Sequence, residues 1–409
     1  MNKGRIVIVG AGLAGARAAE ALRAGGFAGS VILVGEEAEA PYERPALSKG
    51  VLLGTEAVET THCLPCSFYD EKQIELRLAT RVEAIAPAAQ RILLSNGEWL
   101  PYDKLLLCTG SRVRPLPGAP DIAGVHYLRT IVDCQKLTPA LKPGGRLVVV
   151  GGGFIGLEVV STAAKRGMSV AVVERQASLL ERVVPRGIAS AVERMHRAHG
   201  VTMHLGVAAA EILGNEHVTG VRLTNGAVIP ADAVVVGIGI IPNTELAEAA
   251  GAASDDGLIV DEFGRTTLAN VYAAGDVTNH PNPILERRLR LESWQNAQNQ
   301  AIAVARNMIG VHAPYAEVPW FWSDQFDTNI QMVGAAAADA AVHWRGDPDD
   351  GRAMAFAVEG GRLRCAVAFN LGADIRFARK LIERGATLPP ETLCDPARKL
   401  RDIAGAAAA

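Results

Sequence analysis

Two stretches of the chain share one order of apolar and polar positions. Residues 5–36 open on the apolar run of RIVIV, pass through a glycine turn and a helix-period segment, and end in a second apolar run, SVILV. Residues 146–174 repeat that order as RLVVVG, GGFIG, LEVVSTAAKRGM and SVAVVE. A β-branched run apolar at every position predicts a strand buried on both faces, as parallel sheets require. The segments between carry Ala and Leu on one stripe and Arg, Glu or Lys on the other, the pattern of a half-buried helix. Each copy is therefore predicted to be a strand–helix–strand unit.

Other segments follow different periods. Residues 72–85 and 91–107 alternate apolar and polar positions, with Asn96-Gly97 as a turn signal, and predict an antiparallel meander. A second meander is predicted over 201–232, with Asn225-Gly226 at its turn. LLLCTGSRVRPLPG (105–118) reads as a buried strand entering a Pro/Gly-rich crossover, and AVVVGIGIIPN (233–243) as another buried strand. From 314 onward WFWSDQ, strand-like segments near 329–370 and a helical tail predict a separate C-terminal domain, with AGAAAA at the end frayed.

Composition narrows the classes. A length of 409 residues accommodates two or three domains. With 21% charged residues and a net charge of −3, the chain is neither a disordered tail nor a nucleic-acid binder driven by bulk charge. No apolar stretch reaches the ~18 residues of a membrane span. Six cysteines in so long a chain do not make a disulfide scaffold. The N-terminus resembles a signal peptide in having Lys3 and Arg5 before an apolar run, but Arg17, Glu20 and Arg23 follow on a helical period. A strand–turn–helix explains it better, and a cytoplasmic location is expected. Glycine is in excess at 42 residues, so the backbone must turn tightly or approach something closely at many points.

The glycines fall into motifs. Gly10-x-Gly12-x-x-Gly15 follows a strand and opens a helix, and Glu36 closes the next strand. This is the dinucleotide-binding fingerprint: one glycine for the turn, one for close approach of the pyrophosphate, one for helix–strand packing, and an acid for the ribose hydroxyls. Gly151-x-Gly153-x-x-Gly156 with Glu174 is a second copy, so two cofactors are expected. Glu174 favours free ribose hydroxyls and hence NADH over NADPH, although the neighbouring Arg175 is suited to a 2′-phosphate. In RTTLANVYAAGDV (265–277) a strand ends at Gly275-Asp276, placing a carboxylate where α/β sheets bind ligands.

These motifs, with CTG (108–110), GIGIIPN (237–243) and AAGD (273–276), resemble the flavoproteins with two dinucleotide-binding domains. Disulfide reductases of that group carry a C-x4-C pair soon after the first ribose acid, yet residues 37–60 contain no cysteine. PYERPALSKGVL (41–52), GGGFIGLE (151–158), ESWQNAQNQ (292–300), PWFWSDQ (319–325) and DPARKLRDIA (395–404) resemble the ferredoxin reductases of Rieske-type aromatic-ring dioxygenase systems, with the putidaredoxin reductases a related branch. The resemblance implies an α/β fold of the glutathione-reductase type: two Rossmann-like dinucleotide-binding domains and an α+β C-terminal domain. Its boundaries would be an FAD domain over 1–112 and 240–313, an NAD domain over 113–239 and a C-terminal domain over 314–409.

Carried onto matching positions, the resemblance implies FAD contacts from Gly10, Gly12, Leu13, Ala14, Gly15, Glu36, Arg44, Pro45, Lys49, Val82, Thr109, Gly110, Arg129, Asp276 and Trp294. NAD contacts fall on Gly151, Gly153, Ile155, Gly156, Glu158, Glu174, Arg175, Gly237 and Gly239. It also implies that Lys49 pairs with Glu158 near the flavin, that Asp276 holds the ribityl chain, and that Trp322, with Trp320, lies on an aromatic path beside the ring. The implied partner is a two-iron two-sulfur ferredoxin, expected to be of Rieske type, docking near Trp322; the basic cluster Arg287/Arg288/Arg290 is suited to steering an acidic ferredoxin, although a charge run also reads as plain solvated surface. No metal, nucleic-acid or membrane partner is expected.

Three rival signals are weighed against this. Cys63-Leu-Pro-Cys66 is a C-x-x-C in a loop-like stretch with no second pair for zinc, and it supports only a rival reading, a thiol or peroxide reductase of the same fold. A reductase for a ferredoxin serving a haem monooxygenase also fits the motifs, as does a flavoprotein that binds NADH to change partners. His196 and His199, with His204 nearby, read as a solvated helix face rather than metal ligands. Cys108 reads as core.

Overall fold

The computed structural model describes residues 4–407, so Lys3 and the last two alanines, Ala408 and Ala409, lie outside the described residues. Long-range packing divides the chain into two units, one of Met1–Glu43, Val58–Arg112 and Ile241–Pro319, the other of Arg44–Ala57, Val113–Ile240 and Trp320–Ala409.

The first unit is built on a parallel sheet of Val271–Ala273, Lys104–Leu107, Arg5–Val9, Ser30–Val34 and Ile74–Arg77, in that order. Its inner strands are apolar beyond their first residues because both faces are covered, whereas the edge strand Ile74–Arg77 is only partly buried. Ile6, Ile8, Val31, Leu33 and Leu106 join the cluster under the helices Leu13–Ala24 and Trp294–Met308. Val7, Val9, Ile32, Val34, Leu105 and Leu107 join the cluster formed with the meander residues Ile85, Ile92 and Leu94. That meander is the antiparallel trio Val82–Ala86, Arg91–Leu94 and Trp99–Pro101, turning at Asn96-Gly97. It is shorter than the alternation suggests: Ile74–Arg77 and Lys104–Leu107, at its two ends, pair in parallel with the main sheet instead.

The second unit repeats the parallel plan with Thr202–Leu205, Ser169–Glu174, Arg146–Val150, Ala233–Val236 and Val125–His126. Here too the meander loses its first strand to the sheet, leaving Ala209–Gly214, Val218–Leu223 and Val228–Pro230. The run 233–243 is not one strand, since Gly237 and Gly239 interrupt it between Ala233–Val236 and Ile240–Pro242. An antiparallel sheet ordered Trp320–Gln325, Thr328–Gly334, Arg362–Phe369, Ala353–Glu359 and Val342–Arg345 belongs to the same unit, with the helix Gly372–Glu383 against it. The tail is less frayed than its composition suggests: Leu400–Ala406 is helical, with Ile403 and Ala404 buried.

The segment 44–57 belongs to this second unit because its backbone is tied there. Thr162 Oγ1 donates to the Ser48 carbonyl at 2.8 Å, Arg166 to that of Leu52 at 2.9 Å, and Cys134 Sγ to that of Leu47 at 3.3 Å. Those bonds set the 3₁₀ turn Arg44–Ser48 beside the helix Phe154–Lys165.

Candidate active site

Each fingerprint glycine has a distinct steric reason. Gly10 sits at φ +111°, and a Cβ there would lie 2.1 Å from the Cys108 carbonyl oxygen. A Cβ on Gly15 would lie 2.0 Å from the Gly10 oxygen and 2.9 Å from Leu33 Cδ1, so this glycine sets how closely the helix approaches the sheet. A Cβ on Gly12 would meet nothing within 4 Å. The second copy divides the roles alike: Gly151 at φ +112° faces the Gly237 oxygen at 2.3 Å, Gly156 faces the Gly151 oxygen at 2.6 Å, and Gly153 faces open space. Gly12 and Gly153 are the N-caps of their helices, and they keep clear the space before a helix N-terminus.

Neither helix has a side-chain cap or an acidic residue in its first turn. Two other helices are capped, Ile131–Leu137 by the Thr130/Asp133 capping box and Trp294–Met308 by Ser293, while Arg186–Ala198 is bare like the fingerprint helices. Bare N–H groups and an unneutralised dipole at a glycine-lined turn are what a diphosphate requires. The residues present fit a dinucleotide at each fingerprint.

The first unit gathers further expected residues around its turn. Glu36 is exposed. Gly275, at φ +85°, brings the AAGD turn against Ala14, and Gln300 holds that turn by accepting from Gly275 N at 2.8 Å and Thr278 Oγ1 at 2.9 Å. Asp276 Oδ2 accepts from Ser111 Oγ at 3.1 Å. Thr109 is clasped to Asn243, donating to its carbonyl at 2.8 Å and accepting from its amide at 2.9 Å. Val82 is buried in the meander core, and Trp294 opens its helix. The sequence pattern does not single out Gln300, Ser111 or Asn243, although each lies in or beside one of the motifs.

Arg44, Pro45, Lys49 and Arg129 lie in the second unit, where Arg44 donates to the Arg129 carbonyl at 2.7 Å. The Lys49–Glu158 pair is formed within this unit, with Nζ to Oε1 at 3.1 Å. Glu158 is 2% exposed and also accepts from Ser323 Oγ at 2.6 Å and from Ser48 Oγ at 2.5 Å. Burial pushes its carboxyl up from the ordinary range, while Lys49, Ser323 and Ser48 pull it back by bonding the anion. This is not the surface ion pair that spacing alone would allow, because the acid is enclosed and all three of its partners donate. Lys49 Nζ also lies 3.9 Å from Asp324 and 5.4 Å from the centre of the Trp322 ring. Trp320 and Trp322 stack with centroids 5.1 Å apart, as period-two neighbours on the strand Trp320–Gln325.

Around the second fingerprint, Glu174 accepts from Gly152 N at 2.6 Å and Gln176 N at 2.7 Å, Arg175 is exposed, and Ile155 is 47% exposed. Gly237 donates to the Val150 carbonyl at 2.8 Å and leads to Gly239 at φ +107°.

Two expectations are corrected. Cys66 is not in a loop: it is the first residue of the helix Cys66–Glu71 and is exposed, whereas Cys63 is buried. His196 is not on a solvated face: it is fully buried and bonds Gln325 Oε1 through Nε2 at 2.8 Å, while His199 stacks on Phe326 at 3.8 Å. Two arginines of the basic cluster are tied to their surroundings, and Arg287 is exposed. Arg290 pairs with Asp256 and Glu292, and Arg288 donates to Asn279 and the Val260 carbonyl. Cys108 is buried, as expected for core. Among the described residues no group of His, Cys, Asp or Glu is placed to hold a metal, and no helix is long and apolar enough to cross a membrane.

Comparison with known proteins gives the family. Residues 4–301 match the pyridine nucleotide-disulphide oxidoreductase family, and residues 320–404 match the reductase C-terminal family. The chain belongs to the first of these by a match over most of its length. It is an FAD-dependent oxidoreductase of the kind that uses a nicotinamide cofactor. The ferredoxin–NAD(+) reductase component of the anthranilate 1,2-dioxygenase system of Burkholderia cepacia is 45% identical over 399 residues, 97% of this chain and 98% of its own. The corresponding component of the p-cumate 2,3-dioxygenase system of Pseudomonas putida is 38% identical over 403 residues, 98% of each. A solved covalent complex of putidaredoxin reductase with putidaredoxin has a chain that superposes with a TM-score of 0.96 at 35% identity, covering 99% of both.

Proposed function

We propose that the protein is an NADH-dependent ferredoxin reductase that supplies electrons to a Rieske-type two-iron two-sulfur ferredoxin of an aromatic-ring dioxygenase system. The observation that carries this is the pair of uncapped glycine turns, each with open space before a helix N-terminus, in one chain with Lys49 paired to a buried Glu158. Residues 1–112 and 240–313 are the FAD-binding part, 113–239 the NADH-binding part and 314–409 the C-terminal part. FAD held there would supply hydride acceptance from NADH and release of the electrons one at a time.

The chain's own residues orient and charge the site. Gly12 and Gly153 would admit the diphosphates, Glu36 and Glu174 would receive ribose hydroxyls, and Asp276 would hold the ribityl chain. Lys49, held between Glu158 and Asp324, supplies a fixed positive charge where negative charge develops. Glu158 Oε1 already accepts two bonds and Oε2 one, which leaves one acceptor position on Oε2 for a carboxamide N–H. Trp322 and Trp320 lie at the exit for electrons. Within the basic cluster Arg287 is exposed, and it steers an acidic partner.

The dioxygenase reading draws on the names of the anthranilate and p-cumate relatives. It is tested by NADH-driven reduction of a Rieske ferredoxin and of an all-cysteine two-iron ferredoxin under equal conditions. Faster turnover with the Rieske protein is expected. Preference for the all-cysteine protein would favour service to a haem monooxygenase, and turnover with neither would overturn ferredoxin reduction.

A further inference from the structure

A continuous row of buried polar groups leads away from the Lys49–Glu158 pair. Glu158 Oε1 meets Ser323 Oγ at 2.6 Å, Ser323 Oγ meets Gln325 Nε2 at 3.0 Å, and Gln325 Oε1 meets His196 Nε2 at 2.8 Å. His196, Ser323 and Gln325 are fully buried, and Glu158 nearly so. They come from three elements of the second unit: the helix Phe154–Lys165, the helix Arg186–Ala198 and the strand Trp320–Gln325, where positions 323 and 325 share a face.

The donor count gives this row a direction. A serine hydroxyl has one proton, so Ser323 donates to the carboxylate only if it accepts from the Gln325 amide. The amide then presents its oxygen to His196, which must carry its proton on Nε2. That leaves His196 Nδ1 as a bare lone pair, and Nδ1 is the buried atom with no hydrogen-bond partner among the described residues. The reverse arrangement protonates Glu158, turns the amide over and places the histidine proton on Nδ1, where the described residues offer no acceptor. An orphaned N–H in a buried site is the costlier fault, so the first arrangement is selected.

We propose that His196, Gln325 and Ser323 are positioning residues, a one-way hydrogen-bond chain that keeps Glu158 an oriented carboxylate and so fixes the Lys49 ammonium for hydride delivery. The inference rests on the reading of Lys49 and Glu158 as residues beside the flavin. The chain itself rests only on contacts within the second unit, so the two are separable.

The test uses the flavin-loaded protein. Long-range ¹⁵N–¹H correlation of the histidine rings near neutral pH, with His196 assigned by its loss in His196→Gln, reads the tautomer. Neutral His196 protonated on Nε2 is expected, and protonation on Nδ1 would overturn the proposal. Stopped-flow reduction by NADH then reads the limiting rate and the NADH affinity separately. Ser323→Ala should lower the limiting rate about tenfold, the effect of one lost bond to a buried charged acceptor, with NADH affinity changed less than about twofold. Ser323→Thr should restore it. Gln325→Glu, which places an acceptor where Ser323 needs a donor, should match Ser323→Ala and keeps the test open if that variant folds poorly. A wild-type limiting rate in both Ser323→Ala and Gln325→Glu, while Glu158→Gln is slow, would overturn the proposal. If Glu158→Gln and Lys49→Met are themselves as fast as wild type, the flavin-side reading fails, and with it the positioning role.

Discussion

The two strand–helix–strand units follow one plan and differ by one position at the end of the second strand. Val34 pairs with Val9 as Val173 pairs with Val150, so Gly35 stands where Glu174 stands and Glu36 where Arg175 stands. In the second unit the acid therefore lies against the glycine turn, bonded to Gly152 N and Gln176 N, and the residue beyond it is a cation. In the first unit Gly35 leaves that place to Ala11, whose Cβ lies 2.4 Å from where a Cβ on Gly35 would be, and the acid is one position further out and exposed. Counting from the last glycine to the first acid hides this shift. Glu174 is bonded into its glycine turn, whereas Glu36 stands one position outside its own.

Each unit also buries one neutral histidine, and the two are held differently. His196 bonds Gln325, while both ring nitrogens of His280 lack a hydrogen-bond partner among the described residues. Desolvation by burial lowers both to about 4 from the ordinary 6.5. Because the folded value is depressed, the unfolded chain binds the extra proton first as pH falls. The stability is complete above pH 6.5 and is lost as pH falls from there toward 4. At ~1.4 kcal/mol for each pH unit per histidine, the loss is on the order of 3 kcal/mol apiece. Denaturant melts at pH 7 and pH 5 should show this slope, and His280→Phe should flatten it; an unchanged slope in that variant would place the acid sensitivity elsewhere.

The register shift makes smaller predictions. Glu174→Ala should raise the Michaelis constant for NADH about tenfold, since it removes both the ribose acceptor and the bond that orders Gly152. Arg175→Ala should leave NADH unchanged and weaken residual NADPH use only a few-fold, as expected for one exposed cation. Steady-state kinetics with both nucleotides decide this. An effect of Arg175→Ala on NADH equal to that of Glu174→Ala would mean the two positions do not differ in role.

Much of this is legible in the sequence because it is local. A glycine turn between an apolar run and a helix needs only neighbouring residues, and Gly10, Gly12, Gly15 and their second copies stand where the pattern puts them. The meanders come out too long because alternation near their ends does not say whether a strand will pair in parallel with a distant one, as Ile74–Arg77 does. His196 reads as solvated because its neighbours on the helix are charged, yet its burial comes from the strand bearing Gln325, far along the chain. Ser48 and Ser323 are invisible for the same reason: the carboxylate that gathers them lies more than a hundred residues from either. The partners that tie down Arg288 and Arg290, Asn279 and Asp256, are likewise not beside them in sequence.

The claim that the two glycine turns serve two different cofactors is tested most directly by a matched pair of substitutions read on the same preparations. Gly12→Ala and Gly153→Ala each place a methyl into open space, so both proteins should fold with near wild-type melting. Bound flavin per chain and NADH affinity are then measured for each. Gly12→Ala should lose flavin, and Gly153→Ala should keep its flavin while binding NADH at least about tenfold more weakly. Flavin loss from Gly153→Ala with retention in Gly12→Ala, or no change in either, would contradict the assignment.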